Sequence, residues 1–377
     1  MKLTHGERST ARRATTASRT VKRVGLVAAL GLSTLLMTGC GPREALRFGW
    51  PTGVTPEAKA MGHLWTWAVI ASLIVGFLVW MAIFIAITFH RYRAGEDPFP
   101  RQTAYNMPVE LVLITLPFLA IAVLFYFTVV VENKVEAKTD DPGVVVDVTA
   151  FQWNWKFGYD KVRQADGTYK SYAVENGNPF ELQAQRNADH GHPLPLPLPA
   201  GGRSDNIRDY LRFSSIETLG TSTEIPIMVL PVDTRIEFNL AAADVVHSFW
   251  VPEFLYKRDV MPFPKQNHSD PRFQIEKIDR KGAFVGRCAE MCGTYHAMMN
   301  FEIRAISKED FQRYIALRAN EKLSNAAALE AICQQPKSVT TVPFETRRRT
   351  GGKTPKHLGD TWQTQLPNCT PRVTGAS

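Results

Sequence analysis

Two long apolar runs, Leu64 to Phe89 and Val109 to Val131, constrain this chain more than any other feature of it. Crossing the hydrocarbon core of a bilayer takes about 20 helical residues, and each run is long enough. A helix in lipid satisfies its own backbone hydrogen bonds, so such runs leave little choice of secondary structure. The second run is interrupted only by Glu110 near its start and Pro117 inside it. The loop between the runs carries Arg91, Arg93 and Arg101, and basic loops stay on the cytoplasmic side. The expected layout is a membrane helix over 63–90, a cytoplasmic loop over 91–107 and a second membrane helix over 108–131, with both flanks outside. An acid at the end of a membrane helix is ordinarily interfacial, whereas acids set within such helices serve proton pathways. The position of Glu110 leaves both readings open.

The amino terminus has the pattern of an export signal. Lys2, Arg8, Arg12, Arg13, Arg19, Lys22 and Arg23 precede an apolar run from Val24 to Met37, too short to span comfortably but suited to a signal-peptide core. The run ends in Leu-Met-Thr-Gly-Cys, which resembles a bacterial lipoprotein cleavage box with Cys40 as the lipidated residue, although Met37 stands where leucine is more usual. The alternative is cleavage nearby with Cys40 unmodified. The expected parts are a signal peptide at 1–39 and an exported segment at 40–62. The formal net charge of the whole chain is +8 and becomes +2 without residues 1–39, which hold seven basic residues and one acid. The basic balance therefore reports the export signal and gives no support for nucleic-acid binding. A further basic cluster, Arg347 to Arg349 with Lys353 and Lys356, reads as a solvated tail.

Beyond Val131 the chain becomes polar and strand-like. Val144 to Val148, Phe151 to Tyr159, Glu224 to Leu230 and Thr234 to Leu240 are short runs rich in β-branched and aromatic residues, and the last alternates clearly. Arg272 to Ile278, Gly282 to Arg287 and Met299 to Ile306 are further strand candidates. Short strands without intervening helices predict an antiparallel sandwich or barrel. Lys161 to Thr223 interrupts the pattern and includes the proline-rich stretch Gly191 to Gly202, which reads as an insertion, either a docking surface or a long loop lying on its own domain. His190 and His192 sit there, and lone loop histidines are usually not ligands. From Ser307 the pattern turns helical: Ser307 and Asp310 are placed like a capping box ahead of Phe311, Tyr314, Ile315 and Ala319. A second helical segment covers Asn325 to Ile332.

The densest chemistry lies in Cys288 to Met299, Cys-Ala-Glu-Met-Cys-Gly-Thr-Tyr-His-Ala-Met-Met. Its mixture of soft sulfur and borderline nitrogen donors suits copper far better than magnesium, calcium or manganese. Two cysteines four positions apart can face one point, and each thiolate can bridge two metal ions. His247, in Asp-Val-Val-His-Ser-Phe-Trp, lies upstream where a strand is expected to end. A small disulfide, or a structural zinc site with His247 and His296, would use the same cysteines but would leave Glu290 and Met299 without a role. Of the five cysteines, Cys40 fits a lipid anchor and Cys288 and Cys292 fit a metal. Cys333 and Cys369 remain, and an oxidising exterior permits a disulfide between them. No Cys-x-x-Cys-His occurs, so the chain carries no covalent c-type haem signature.

At this point the chain resembles subunit II of a haem–copper cytochrome c oxidase over roughly residues 62–308. The resemblance implies a two-helix transmembrane hairpin and then an all-β cupredoxin-like sandwich over 132–308, with an insertion at about 161–223 and a partly helical C-terminal extension over 309–377. Its sharpest part is the dinuclear copper motif called CuA, matched by Cys288, Glu290, Cys292, His296 and Met299, with Met298 as the neighbour that does not match. The resemblance implies that Cys288 and Cys292 bridge two copper ions, that His247 and His296 are terminal ligands, that Glu290 binds through its carbonyl and that Met299 is the weak thioether ligand. Phe151 to Trp155, Phe-Gln-Trp-Asn-Trp, resembles the family's aromatic stretch, which puts Trp153 at the point of electron entry. Ordinary sandwich packing is the other reading of Trp153. Val109 to Pro117 resembles the start of the family's second helix, which puts Glu110 at the entrance of a proton path. Asp244 matches an acid near the metal end. The Glu290 side chain would face a magnesium site at the boundary with subunit I.

The implied activity is that of an electron-entry subunit. Electrons would pass from cytochrome c to the copper pair and on to haem in subunit I, with oxygen reduction and proton pumping in the partner. The implied partners are oxidase subunits I and III, a cytochrome c donor and the membrane, with the copper domain on the extracytoplasmic side of a bacterial cell membrane. The insertion and extension depart from the minimal pattern and resemble actinobacterial versions, whose donor is a membrane-bound dihaem cytochrome c of a bc complex. A quinol oxidase subunit II would lack the ligand set. An exported copper carrier would need neither the membrane hairpin nor Trp153, and a nitrous oxide reductase would need a large propeller for which there is no room.

Overall fold

The structure is a computed structural model that describes residues 47–91, 103–174, 211–343 and 364–372. The segment expected to be an export signal, Cys40, most of the loop expected on the cytoplasmic side, the proline-rich stretch with His190 and His192, and the basic tail at Arg347 to Lys356 lie outside the described residues. The chain divides into two compact units, 1–50 and 51–377. Of the first, only a turn at Arg47 to Trp50 is described.

Helix α1 runs Pro56–Phe89 and helix α2 runs Met107–Val135. Both are long and apolar enough to cross a membrane, and side chains such as Phe77, Trp80, Leu113 and Phe118 stand exposed along them. α1 starts before its apolar run because Thr55 caps it, accepting from the Ala58 N–H at 3.1 Å, with Pro56 in the first turn. At the start of α2, Asn106 Oδ1 accepts from the Val109 N–H at 3.4 Å while Glu110 Oε1 accepts from the Asn106 N–H at 2.9 Å. That reciprocal pair satisfies two backbone donors that the helix itself cannot.

Eleven strands follow: β1 (Val144–Phe151), β2 (Asn154–Arg163), β3 (Tyr169–Ser171), β4 (Glu217–Leu219), β5 (Ile227–Pro231), β6 (Ile236–Ala242), β7 (His247–Val251), β8 (Tyr256–Val260), β9 (Arg272–Ile275), β10 (Gly282–Cys288) and β11 (Asn300–Ile306). One sheet is ordered β3-β2-β1-β6-β9, with β4 also on β2, and the other β5-β11-β10-β7-β8. Pairing is mostly antiparallel, but β1 with β6 and β5 with β11 are parallel, because the chain visits the other sheet between the members of each pair. Alternation sends Val144, Val146, Val148, Phe238 and Leu240 into the shared core. Trp155, Phe249 and Phe301 fill its metal-side end, with centroids 5.2 Å apart for Trp155–Phe301 and 4.8 Å for Phe249–Phe301. Such ring pairs add about 1 kcal/mol each beyond their buried area.

The structure differs from the sequence pattern in three places. Phe151 to Tyr159 is not one strand, because Gln152 and Trp153 form the turn between β1 and β2. The stretch 161–223 begins and ends inside the sheet, where β2 continues to Arg163 and β3 and β4 pair with it. Short polar strands such as Tyr169–Ser171 have no apolar alternation to show them. His247 begins a strand instead of ending one, since Phe249 and Val251 carry the alternation onward into the core.

The outer ends of both helices are tied to the sandwich. Glu57 Oε1 accepts from the Glu276 N–H at 2.9 Å. Arg258 Nη2 donates to Glu136 Oε1 at 2.8 Å, and Tyr256 Oη donates to the same oxygen at 3.0 Å. The C-terminal helices α3 (Lys308–Asn320) and α4 (Asn325–Ala331) bury Phe311, Tyr314, Ile315 and Leu329. Ser307 caps α3, accepting from the Asp310 N–H at 3.1 Å. Cys333 and Cys369 form a disulfide.

Candidate metal centre

The loop between β10 and β11 hangs its donors from two rigid supports. Cys288 ends β10, where it pairs with Phe249 of β7, and its N–H donates to Met299 O at 3.1 Å, closing the base of the loop. His247 starts the adjacent β7 and is fully buried. One donor atom each from His247, Cys288 and Cys292 lies within 4.8 Å of the others.

Individual contacts are close but mostly not hydrogen bonds of normal length. Cys288 Sγ lies 3.8 Å from Cys292 Sγ and 3.9 Å from His247 Nδ1. Cys292 Sγ lies 3.5 Å from His296 Nδ1 and 3.9 Å from Met299 Sδ. The carbonyl oxygen of Glu290 is 3.2 Å from Cys288 Sγ. All six residues singled out by the motif are therefore gathered around the two thiols, while Met298 contributes no donor atom to these contacts. The Glu290 carboxylate points away and is half exposed, 4.0 Å from Lys257 Nζ.

The electrostatics favour one ionised thiol. Burial works to raise Cys288, but the His247 imidazole and backbone groups of Glu290 and Ser248 override it and hold the thiol at about 6. Burial, together with the charge on Cys288, pushes Cys292 up to about 12. Burial would lower His247, and Asp244 with Cys288 turns the net shift upward. Two adjacent thiolates repel unless cations lie between them, and metal binding deprotonates such ligands. Two sulfurs, two imidazole nitrogens, a thioether and a carbonyl around one short loop fit copper, whose ligand preferences they match.

Around these donors lies a second set of residues. Asp244 Oδ1 is 2.8 Å from His247 Nε2, the ring nitrogen turned away from the thiols. Trp153 is half buried, donates from Nε1 to Cys292 O at 3.0 Å and meets the Tyr295 ring edge-on at 4.9 Å. Trp155 donates from Nε1 to Met299 O at 3.1 Å. Gln152 also reaches the loop, donating from Nε2 to Cys292 O at 2.8 Å. The sequence pattern assigned Gln152 nothing; its only signal was one of two amides, with Asn154, set among the aromatic residues of Phe151 to Trp155. Glu110 stands far along the chain at the exposed start of α2, in the cap described above.

Residues 209–306 match the family model described as cytochrome C oxidase subunit II, periplasmic domain. A probable cytochrome c oxidase subunit 2 of Nocardia farcinica is 54% identical, covering 88% of this chain and 90% of that protein. Cytochrome c oxidase subunit 2 of Mycobacterium tuberculosis (strain ATCC 25618 / H37Rv) is 51% identical over 91% of this chain and 93% of its own length. Its counterpart in Corynebacterium diphtheriae is 48% identical over 88% of this chain and 94% of the relative.

Proposed function

The chain belongs to the cytochrome c oxidase subunit II family and is a subunit of that oxidase, and from its metal end we propose that it is the electron-entry subunit. It accepts electrons from cytochrome c at a dinuclear copper centre and delivers them to haem in subunit I, where oxygen is reduced to water with proton pumping. The observation that carries this reading is the gathering of both thiols, both imidazoles and the Met299 thioether, with neighbouring contacts of 3.5–3.9 Å around the two sulfurs.

Cys288 and Cys292 would hold the copper ions through their thiolates, His247 and His296 through their imidazoles, Met299 through sulfur and Glu290 through its carbonyl. When bound, a copper pair supplies a one-electron site whose geometry changes little on reduction. Asp244 fixes the His247 ring so that Nδ1 faces the sulfurs, an outer contact of the kind that orients metal-bound imidazoles. Trp153 lies between the Cys292 carbonyl and the partly exposed Tyr295, a position suited to electron entry from a docked donor. The buried aromatic floor of Trp155, Phe249 and Phe301 excludes water beneath the donors.

The remaining assignments follow the same reading. The hairpin of α1 and α2 spans a bacterial cell membrane with the copper domain on the extracytoplasmic side, and residues 1–39 are an export signal that exposes Cys40 for lipidation. The sandwich with its insertion follows the end of α2 at Val135 and runs to residue 308, and the extension occupies 309–377. Glu110 opens a proton path toward subunit I, and the half-exposed Glu290 carboxylate, beside Lys257, would help hold magnesium at that boundary. Subunits I and III complete the oxidase, with a membrane-bound dihaem cytochrome c of a bc complex as donor.

Electron paramagnetic resonance of the copper-loaded full chain in detergent tests the proposal. A hyperfine pattern from one electron shared equally by two copper nuclei is expected. A single-copper pattern, or a silent sample holding zinc, would remove the electron-entry role.

A further inference from the structure

The turn between β1 and β2 meets both ligand-bearing segments, and Gln152 touches each of them. Its main-chain N–H donates to Asp244 Oδ2 at 2.7 Å, and the other oxygen of Asp244 sits 2.8 Å from His247 Nε2. Its side-chain amide donates to Cys292 O at 2.8 Å, a carbonyl that also accepts from Trp153 Nε1 at 3.0 Å. The loop can come this close because residue 293 is glycine. Its φ is +118°, and a Cβ there would stand 3.1 Å from the Trp153 ring and 3.3 Å from Gln152 Nε2.

We propose that Gln152 is a positioning residue for the copper pair. It is a clip whose two amides fix the separation between His247 and Cys292, and through it the potential of the site and its hold on copper. The proposal rests on the copper reading above. Cys292 is the hub of the donor set, in contact with Cys288, His296 and Met299, and it lies in a loop with no strand ladder of its own to steady it. Two donors on its carbonyl take the place of that ladder. A displaced Cys292 would alter the two sides of a shared site unequally, so the electron would no longer divide evenly between them.

The test uses the full chain in detergent, wild type and Gln152→Met. Methionine keeps the length of the side chain and the main-chain N–H to Asp244, and removes only the donor to Cys292. The wild-type resonance spectrum is recorded first, and a single-copper pattern there overturns the copper reading itself. Given a shared pattern in the wild type, Gln152→Met is expected to give unequal hyperfine couplings and a shifted midpoint potential. It is also expected to lose copper to a chelator about tenfold faster, the lower end of what outer contacts do to metal affinity. Unchanged couplings, potential and rate of copper loss would overturn the clip. So would a lowered melting temperature of the copper-free chain with an unchanged spectrum and potential, since that is a purely structural effect. Should Gln152→Met fail to assemble, Gln152→Glu, which keeps the shape and loses the donor, is read by its hyperfine couplings and its rate of copper loss, because its added charge shifts the potential by itself.

Discussion

Two polar clusters buried in the outer domain differ in how fully they are satisfied. Around Cys288 and Cys292 the contacts run from 3.5 to 3.9 Å, and the two thiols are pushed in opposite directions, about 6 and about 12. On the outer face of β11, Glu302 and Arg304 are both fully buried and paired at 2.5 Å. The Glu302 Oε2 oxygen also accepts from Ser338 Oγ at 2.8 Å, the Val339 N–H at 2.7 Å and the Thr340 N–H at 3.0 Å. Arg304 Nη1 donates to Gln335 O at 3.0 Å. The second cluster is complete, since its carboxylate has short partners on both oxygens, and its work is to lash the C-terminal strand of chain at 335–340 to the sheet. The first has soft donor atoms facing one another at 3.5 to 3.9 Å, with two thiols of opposed acidity, an arrangement whose chemistry suits metal ions.

That contrast makes the two clusters respond differently to substitution. Cys292→Ser is expected to have the largest effect. It abolishes the shared-electron spectrum outright while leaving the melting temperature of the copper-free chain nearly unchanged, which paired resonance and calorimetry would reveal. Glu302→Ala should do the reverse. Breaking a buried ion pair leaves an uncompensated charge and costs about 3–5 kcal/mol, read as a fall in the denaturation midpoint, with the copper spectrum of the surviving folded protein intact. Replacing both Cys333 and Cys369 by serine removes the disulfide, whose cysteines are 36 residues apart, and should cost about 2–4 kcal/mol in the same denaturation assay, again without touching the copper signal.

Asp147 is an intermediate case, and its effect shows only as a dependence of stability on pH. It is buried on β1, accepts from Asn239 Nδ2 at 3.0 Å and has no hydrogen-bond partner for its second oxygen among the described residues. Burial and the nearby Asp160 push its carboxyl up to about 7, against the pull of Arg212. The folded state therefore holds this proton more tightly than the unfolded chain does. Its stabilising contribution is full below the ordinary aspartate range and is lost as pH rises toward 7, by no more than about 1.4 kcal/mol per pH unit. Thermal melts of wild type and Asp147→Asn across pH 4 to 8 should show that slope only in the wild type.

The long apolar helices and the cluster of thiols, imidazoles and thioether were legible in the sequence because residue type alone carries them. Long apolar runs admit one secondary structure in lipid, and Cys288, Cys292 and His296 are close in the chain before they are close in space. The supports of the site were not legible in the same way. Gln152 acts across 140 residues to reach Cys292, through a turn that an aromatic-rich run disguised as strand. Glu302 and Arg304 fall at alternate positions of β11, on the face that a two-sheet sandwich would leave to water. Only the returning chain at 335–340, rich in polar main-chain groups, turns that face into an interior.

X-ray absorption at the copper edge of the loaded full chain tests the central claim most directly, because it reports neighbours of the metal itself. The account predicts two coppers per chain, sulfur in the first shell of both and a short copper–copper scattering path that disappears in Cys292→Ser. One copper per chain with no copper–copper path, in protein whose fold is intact, would contradict it.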